Sequence, residues 1–141
     1  MKKVLFLDFD GVLHPATINN KSEHFSRNFI LEEAIKDLEC EIVISSSWRF
    51  HTKHSDLLSN LSSNLASRVT GSTGEPYIGK HSRYQEILNY IKANDCLDLD
   101  WMALDDAYYE FPNSFDRLIL CNPNIGVTKK EAEVLKNWLK K

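Results

Sequence analysis

Residues 4–14 read Val-Leu-Phe-Leu-Asp-Phe-Asp-Gly-Val-Leu-His, and this stretch decides the fold class of the 141-residue chain. The apolar run from Val4 to Leu7 is unbroken rather than alternating, which is typical of a parallel strand covered by helices on both faces. Parallel sheets bind ligands at the carboxyl ends of their strands. We therefore expect Asp8 to emerge at that end, with Asp10 on the same side because an extended chain repeats every two residues. Gly11 then lets the backbone turn away.

Asp8 and Asp10 would form a closely spaced pair of carboxylates. Two such charges a few ångströms apart repel each other by roughly 4 kcal/mol at an effective dielectric constant of about 20. A fold retains the pair to bind a metal ion, to share a proton, or as part of an ordinary turn rich in Asp and Gly. The apolar strand in front of Asp8 and the polar residues that recur later favour a functional site.

The composition indicates one globular domain over residues 1–141. The chain is 43% hydrophobic and 26% charged, and its net charge of -3 gives no global field that would attract nucleic acid or an anionic membrane. Cys40, Cys96 and Cys121 lack metal-ligand spacing, so we expect packing roles and a reducing compartment. No stretch reaches the roughly 18 apolar residues of a membrane span, and no cleavable signal precedes the first strand. We therefore expect a cytoplasmic protein.

Strand and helix patterns alternate along the chain. They predict a three-layer, Rossmann-like α/β fold in which helices cover both faces of a parallel sheet of about five strands. The expected strands are 4–7, 41–44, 68–70, 101–104 and 118–121, and residues 71–79 are expected to form a loop. The expected helices are 27–38, 55–65, one that a Ser82/Gln85 capping box begins, and one that Thr128 and Glu131 cap and that runs through Trp138.

A serine-rich turn follows the second predicted strand. Ser45 and Ser46 come directly after Ile44, and their hydroxyl and backbone N–H groups would lie beside Asp8 if the first two strands are neighbours. Such a turn can hold phosphate oxygens, although an ordinary strand-to-helix turn has the same composition.

Acidic and basic residues occur together around the fourth predicted strand. Asp105 and Asp106 follow that strand directly, and Lys80 and Arg83 flank the start of the helix that precedes it. Taken alone, the acidic pair is typical of a solvated turn and the basic residues of a solvated helix end. Together with Asp8, they would supply a metal site and a cation that neutralises charge on a phosphate.

In this order and spacing, the motifs resemble the haloacid dehalogenase superfamily of phosphatases and phosphotransferases, whose signature opens Asp-x-Asp-Gly after a hydrophobic strand. The resemblance covers nearly the whole chain. A closer likeness is to small bacterial and phage domains described as the haloacid-dehalogenase-type domain of RNA repair proteins. It is carried by Asp-Phe-Asp-Gly-Val-Leu-His, Ile-Ser-Ser-Ser-Trp-Arg, Arg83-x-x-Glu86-Ile87, Leu-Asp-Asp and Cys-Asn-Pro. The segments between the motifs are too short for the cap domain that many members insert.

The resemblance implies a phosphomonoester hydrolase that acts through an aspartyl-phosphate. Asp8 would attack phosphorus, and Asp10 would protonate the leaving oxygen and then activate water. The turn that contains Ser45 and Ser46 would bind the phosphoryl oxygens, and Lys80 or Arg83 would supply the cation, with the closer likeness favouring Arg83.

The resemblance also implies a Mg²⁺ cofactor. Its ligands would be the Asp8 carboxylate, the backbone carbonyl of Asp10, Asp106 directly and Asp105 through a water molecule.

A site without a cap is open to solvent, which favours a macromolecular phosphate such as a polynucleotide end as substrate. A phosphatase of small metabolites or nucleotides is the alternative. We expect no membrane association, and the sequence indicates no stable protein partner, although a partner chain could also close the site. A signalling receiver domain is a rival of another class, but there the acidic pair lies at the first strand and a lysine follows the last one. A catalytically silent binding domain is a further alternative.

For three residues near these motifs, the sequence allows more than one role. His14 either lines the site or faces water. Trp48 is expected in the core, with base stacking as the alternative. Arg49 is expected at a solvated helix start, with contact to an oligonucleotide backbone as the alternative.

Overall fold

The fold is described here from a computed structural model over residues 2–94 and 98–141, so the predicted packing role of Cys96 lies outside the described residues. In these ranges the chain forms five strands and five α-helices. The strands are Lys2–Leu7 (β1), Glu41–Ile44 (β2), Val69–Ser72 (β3), Leu99–Asp105 (β4) and Leu118–Leu120 (β5). The helices are Asn28–Ile35 (α1), His54–Ser59 (α2), Ser63–Ser67 (α3), Ser82–Ala93 (α4) and Lys129–Leu139 (α5).

The five strands form a single sheet in the order β3-β2-β1-β4-β5. Every neighbouring pair is parallel, which confirms the predicted α/β fold. β1 lies at the centre, and its last residue, Leu7, is paired with Ile44 of β2 and with Leu104 of β4. The carboxyl ends of these three strands therefore meet at one edge of the sheet, where the sequence motifs were predicted to converge.

The apolar run of β1 is buried on both faces of the sheet, as its pattern predicts. Leu5 and Leu7 belong to a core cluster with residues of α1, α2, α3 and α5, whereas Val4 and Phe6 pack on the opposite face with residues of α4. All four side chains are at most 4% exposed. This double coverage fixes β1 rigidly and gives its carboxyl end a defined position. Cys40 and Cys121 are buried free thiols, which confirms their packing roles.

Three expectations about local structure were wrong. The predicted helix 55–65 is two helices, because two hydrogen bonds of Asn60 end the first one. The side-chain amide of Asn60 donates to the backbone carbonyl of Asp56, and the backbone carbonyl of Asn60 accepts a hydrogen bond from the side chain of Asn28. Strand β3 extends through Gly71 into the predicted loop.

The predicted capping box at Ser82 and Gln85 is absent. His81, with φ +55°, precedes α4 and does not cap it, and the Ser82 hydroxyl donates to Glu110 instead. The capping box formed by Thr128 and Glu131 is confirmed. Within the described ranges, no helix combines the length and the apolar character that crossing a membrane requires.

Candidate active site

Three aspartates converge at the carboxyl edge of the sheet. Asp8 follows β1, and its N–H continues the pairing with β4 by donating to the carbonyl of Leu104 at 3.1 Å. Carboxylate oxygens of Asp8, Asp105 and Asp106 all lie within 4.8 Å of one another. Asp8 is 6% exposed and Asp105 is 1% exposed, so these two charges are almost entirely removed from water. We refer to the three residues as the acidic cluster.

A tight turn after Asp8 makes room for the cluster. The N–H groups of Val12 and Leu13 both donate to the carbonyl of Phe9, and Gly11 has φ +76°. A side chain at position 11 would overlap the Asp106 carboxylate. Glycine is therefore required here both by the backbone angle and by the space that Asp106 occupies.

Burial makes the acidic cluster unfavourable as three bare anions. Burial raises the pKa of Asp8 well above its ordinary value, and the neighbouring Asp105 raises it further. Burial also raises the pKa of Asp105 to about 6, although Arg83 opposes this effect. Three carboxylates and one guanidinium leave an excess of two negative charges, which a divalent cation would balance. Carboxylate oxygens are the ligands that Mg²⁺ prefers, so the cluster fits a magnesium ion.

Arg83 is the basic residue that contacts the acidic cluster. Its Nη1 lies 2.7 Å from Oδ2 of Asp105 and 3.4 Å from Oδ1 of Asp8. Lys80, the other predicted cation, is exposed and makes no ion pair within the described ranges. The other Asp105 oxygen, Oδ1, accepts a hydrogen bond from the N–H of Ala107 at 3.0 Å. Both Asp105 oxygens are thus engaged by the protein.

Glu86 connects Arg83 with Arg49 in an ion-pair network that the sequence motifs do not predict. Oε1 of Glu86 lies 2.8 Å from Nη2 of Arg49 and 3.9 Å from Nε of Arg83. Oε2 of Glu86 accepts the N–H of Tyr77 at 3.0 Å. The side chain of Arg49 is only 5% exposed, so the expectation that it is solvated was wrong.

Arg49 also connects this network to the serine-rich turn. Its Nη1 donates to the carbonyls of Ser45 and Ser46 at 3.3 and 2.9 Å. The Ser46 hydroxyl accepts the N–H of Trp48 at 3.2 Å and so caps the short 3₁₀ turn Ser47–Phe50. The turn is therefore held by its own serine and by Arg49.

The hydroxyl of Ser45 stands apart from these interactions. Ser45 is 1% exposed, and its Oγ has no hydrogen-bond partner within the described part of the chain. Its N–H donates to the carbonyl of Leu7 at 2.9 Å, one residue before Asp8. A buried hydroxyl without a partner costs about 1–3 kcal/mol, and this one lies beside the carboxyl end of β1, where it is free to bind a ligand atom.

The Asp10 carboxylate lies with aromatic residues rather than in the acidic cluster. Its Oδ1 is 2.7 Å from Nε2 of His14, and the indole N–H of Trp48 lies 3.1 Å from both of its oxygens. The hydrogen bond from His14 is the main cause that lowers the pKa of Asp10, whereas burial acts in the opposite direction. His14 is 1% exposed and therefore does not face water, and its ring contacts Asp10. Its occurrence in the opening motif, four residues after Asp10, was the available signal.

Residues 4–132 match a family model described as HAD domain in Swiss Army Knife RNA repair proteins, where HAD stands for haloacid dehalogenase. The matched range includes the acidic cluster, the serine-rich turn, Arg83 and Asp10. Comparisons with curated proteins and with solved structures give no significant match.

Proposed function

Because the chain belongs to the family of HAD domains in Swiss Army Knife RNA repair proteins, and is thus a HAD-type hydrolase, we propose that it is a Mg²⁺-dependent phosphomonoesterase acting on polynucleotide ends. The observation that carries the proposal is the acidic cluster, whose three carboxylates lie within 4.8 Å of one another. Asp8, Asp106 and the carbonyl of Asp10 would hold the Mg²⁺ ion, with Asp105 supporting it. The bound ion would offset negative charge as the phosphate approaches.

In the first step, a carboxylate oxygen of Asp8 forms a bond to phosphorus while the bond to the leaving oxygen breaks. The leaving oxygen takes the electron pair of that bond and a proton from Asp10. In the second step, water attacks phosphorus, gives a proton to Asp10 and releases inorganic phosphate, which restores the carboxylate of Asp8.

Asp10 needs a different protonation state in each step. Its lowered pKa keeps it ionised in the free protein at neutral pH, which is the form that accepts a proton from water. A bound phosphate dianion adds negative charge nearby and so favours the protonated form for the first step.

Ser45 and Arg83 are the proposed phosphate-binding residues. The unpartnered hydroxyl of Ser45 donates to a phosphoryl oxygen, and the guanidinium of Arg83, beside Asp8, neutralises developing charge. Ser46 acts through the shape of the turn that it caps.

A polynucleotide end is supported by the family description and by the surface around the site. Between β1 and β2 the described chain forms one short 3₁₀ turn and α1, which leaves the carboxyl edge without a cap. Tyr108 and Tyr109 follow the acidic cluster closely and are 68% and 67% exposed. Exposed aromatic rings next to a phosphate site suit stacking with nucleic-acid bases.

The test is a phosphatase screen of the metal-free protein with and without added Mg²⁺. Oligonucleotides with 3′- or 5′-phosphates are compared with nucleotides, sugar phosphates and phosphopeptides. We expect repeated, Mg²⁺-dependent turnover of a phosphorylated oligonucleotide end. The Asp8→Asn variant should show no turnover, while its circular dichroism spectrum should show an intact fold. Faster turnover of sugar phosphates would contradict the proposed substrate. A single burst of phosphorylation without turnover would indicate a receiver-like domain.

A further inference from the structure

The hydrogen bonds of His14 fix which of its nitrogens carries a proton. The N–H of Phe25 donates to Nδ1 of His14 at 3.1 Å, so this nitrogen presents a lone pair. The proton of the neutral ring is therefore on Nε2, which lies 2.7 Å from Oδ1 of Asp10 and donates to it. His14 is 1% exposed, so water does not compete for either bond.

Trp48 supplies a second donor to the same carboxylate. Its indole N–H, which has no acceptor capacity, lies 3.1 Å from both oxygens of Asp10. The ring is held by edge contacts with Phe9 and Phe25, at centroid distances of 5.9 and 5.3 Å. Because these aromatic neighbours restrict the indole, its N–H is a fixed donor.

The two carboxylate oxygens of Asp10 receive different numbers of hydrogen bonds from these donors. Oδ1 accepts from His14 and shares the indole N–H, whereas Oδ2 meets only that shared N–H within the described residues. The side chain of Asp10 is 49% exposed and would otherwise rotate freely. Oδ2 is thus the oxygen that retains capacity to bind a proton.

We infer that His14 and Trp48 are positioning residues that fix the orientation of Asp10, so that Oδ2 is the atom that exchanges a proton with the leaving group and with water. The inference rests on the proposed function. In this role, neither His14 nor Trp48 touches the reacting atoms; both act through Asp10. A misplaced catalytic group loses on the order of 10²-fold in rate, which sets the scale of the expected effect.

Two substitutions at position 14 separate positioning from stability. In His14→Gln, the amide nitrogen takes approximately the place of Nε2 and keeps the donor to Asp10. In His14→Asn, the amide oxygen takes approximately the place of Nδ1, so the acceptor for Phe25 is kept and the donor to Asp10 is lost. Trp48→Phe keeps the ring contacts and removes the indole N–H.

The leaving group reports on the proton transfer. With a 3′- or 5′-phosphorylated oligonucleotide, we expect His14→Asn and Trp48→Phe to lower kcat/KM by about tenfold or more, since the alkoxide needs a proton. With p-nitrophenyl phosphate, whose leaving group departs unprotonated, we expect a loss of less than about threefold. His14→Gln should recover most of the oligonucleotide activity. Equal losses on both substrates, or equal activities of His14→Gln and His14→Asn, would overturn the inference.

A second readout does not depend on turnover. The indole N–H proton resonance of Trp48, assigned by its absence in Trp48→Phe, should shift when Asp10 changes orientation. We expect a shift in His14→Asn but only a small one in His14→Gln. If His14→Asn does not fold, the oligonucleotide and p-nitrophenyl phosphate rates of Trp48→Phe carry the test. If the wild-type protein is inactive but the variants show this pattern of shifts, the proposed function is refuted while the orientation of Asp10 stands. If the wild-type protein is active but the variants lack this pattern of shifts, the positioning role is refuted.

Discussion

The carboxylate of Asp106 occupies the space that a methyl group at position 11, in place of Gly11, would need. The turn that follows Asp8, the proposed nucleophile, is thus coupled directly to Asp106, a proposed metal ligand. The coupling is steric, since Gly11 contributes no functional group of its own.

We expect Gly11→Ala to displace the Asp106 carboxylate and to weaken Mg²⁺ binding by about tenfold, because a group that positions a metal ligand typically contributes at least that much to affinity. The positive φ of Gly11 should add a stability loss of about 1–2 kcal/mol. Isothermal titration with Mg²⁺ and urea unfolding measure the two effects. Gly74→Ala is the matched control, because a methyl group there meets no atom within 4 Å. Unchanged Mg²⁺ affinity in Gly11→Ala would show that Asp106 is not a ligand.

The acidic cluster should make the metal-free protein less stable as pH rises. The pKa of Asp105 is raised from 3.8 to about 6, so between these values the folded chain binds more protons than the unfolded chain. The free energy of unfolding therefore falls as pH increases through this window, because the slope follows the difference in bound protons. The lowered pKa values of Asp10 and Asp100 act below pH 3.8 and do not oppose this trend.

The measurement is urea unfolding in EDTA at pH 5 and pH 7.5. We expect lower stability at pH 7.5, recovery on adding Mg²⁺, and a smaller pH dependence in Asp8→Asn, which removes one buried charge. Stability that rises over this interval in the metal-free protein would contradict the burial of the cluster.

Glu86 should contribute strongly to stability because its partners are buried. Glu86→Gln removes the anionic partner of Arg49, whose side chain is 5% exposed, and we expect a loss of about 3 kcal/mol. Thermal unfolding gives the comparison with Glu41→Gln, which removes an exposed ion pair with Lys2 and should cost less than about 1 kcal/mol. Similar losses in the two variants would mean that the pair of Glu86 and Arg49 is solvated.

Ser45 and Ser46 should respond oppositely to alanine. Ser45→Ala removes an unpartnered buried hydroxyl, so we expect unchanged or slightly higher stability together with about a tenfold loss of kcat/KM from the missing donor. Ser46→Ala removes the cap of the 3₁₀ turn and should lower stability by about 1 kcal/mol. Full activity in Ser45→Ala would exclude its hydroxyl from phosphate binding.

The sequence predicted the elements that depend on local pattern. The unbroken apolar run of β1 predicted a parallel strand covered on both faces, and the acidic pair at Asp105 and Asp106 indicated the second part of the cluster. Side-chain partners that lie far apart in the chain left no local pattern. Arg49 and Glu86 are separated by 37 residues, and Trp48 and Asp10 by 38.

Local interactions also explain the remaining errors. Helical periodicity predicts one helix over residues 55–65, but it does not register the side-chain bond by which Asn60 ends α2. The choice between Lys80 and Arg83, which the sequence left open, depends on His81, whose left-handed backbone precedes α4 and places only Arg83 on the helix.

The central place of β1 determines when the site can exist during synthesis. Lys3 of β1 bonds to Asp100 of β4 across 97 residues of chain, and closing a loop of that length carries a large entropic cost before any contact repays it. A ribosome that has completed only the first two thirds of the chain has made Asp8, Asp10 and Ser45 but neither Asp105 nor Asp106. The nascent chain therefore contains Asp8, the proposed nucleophile, long before it contains the rest of the acidic cluster, which is complete only after the fourth strand has been made.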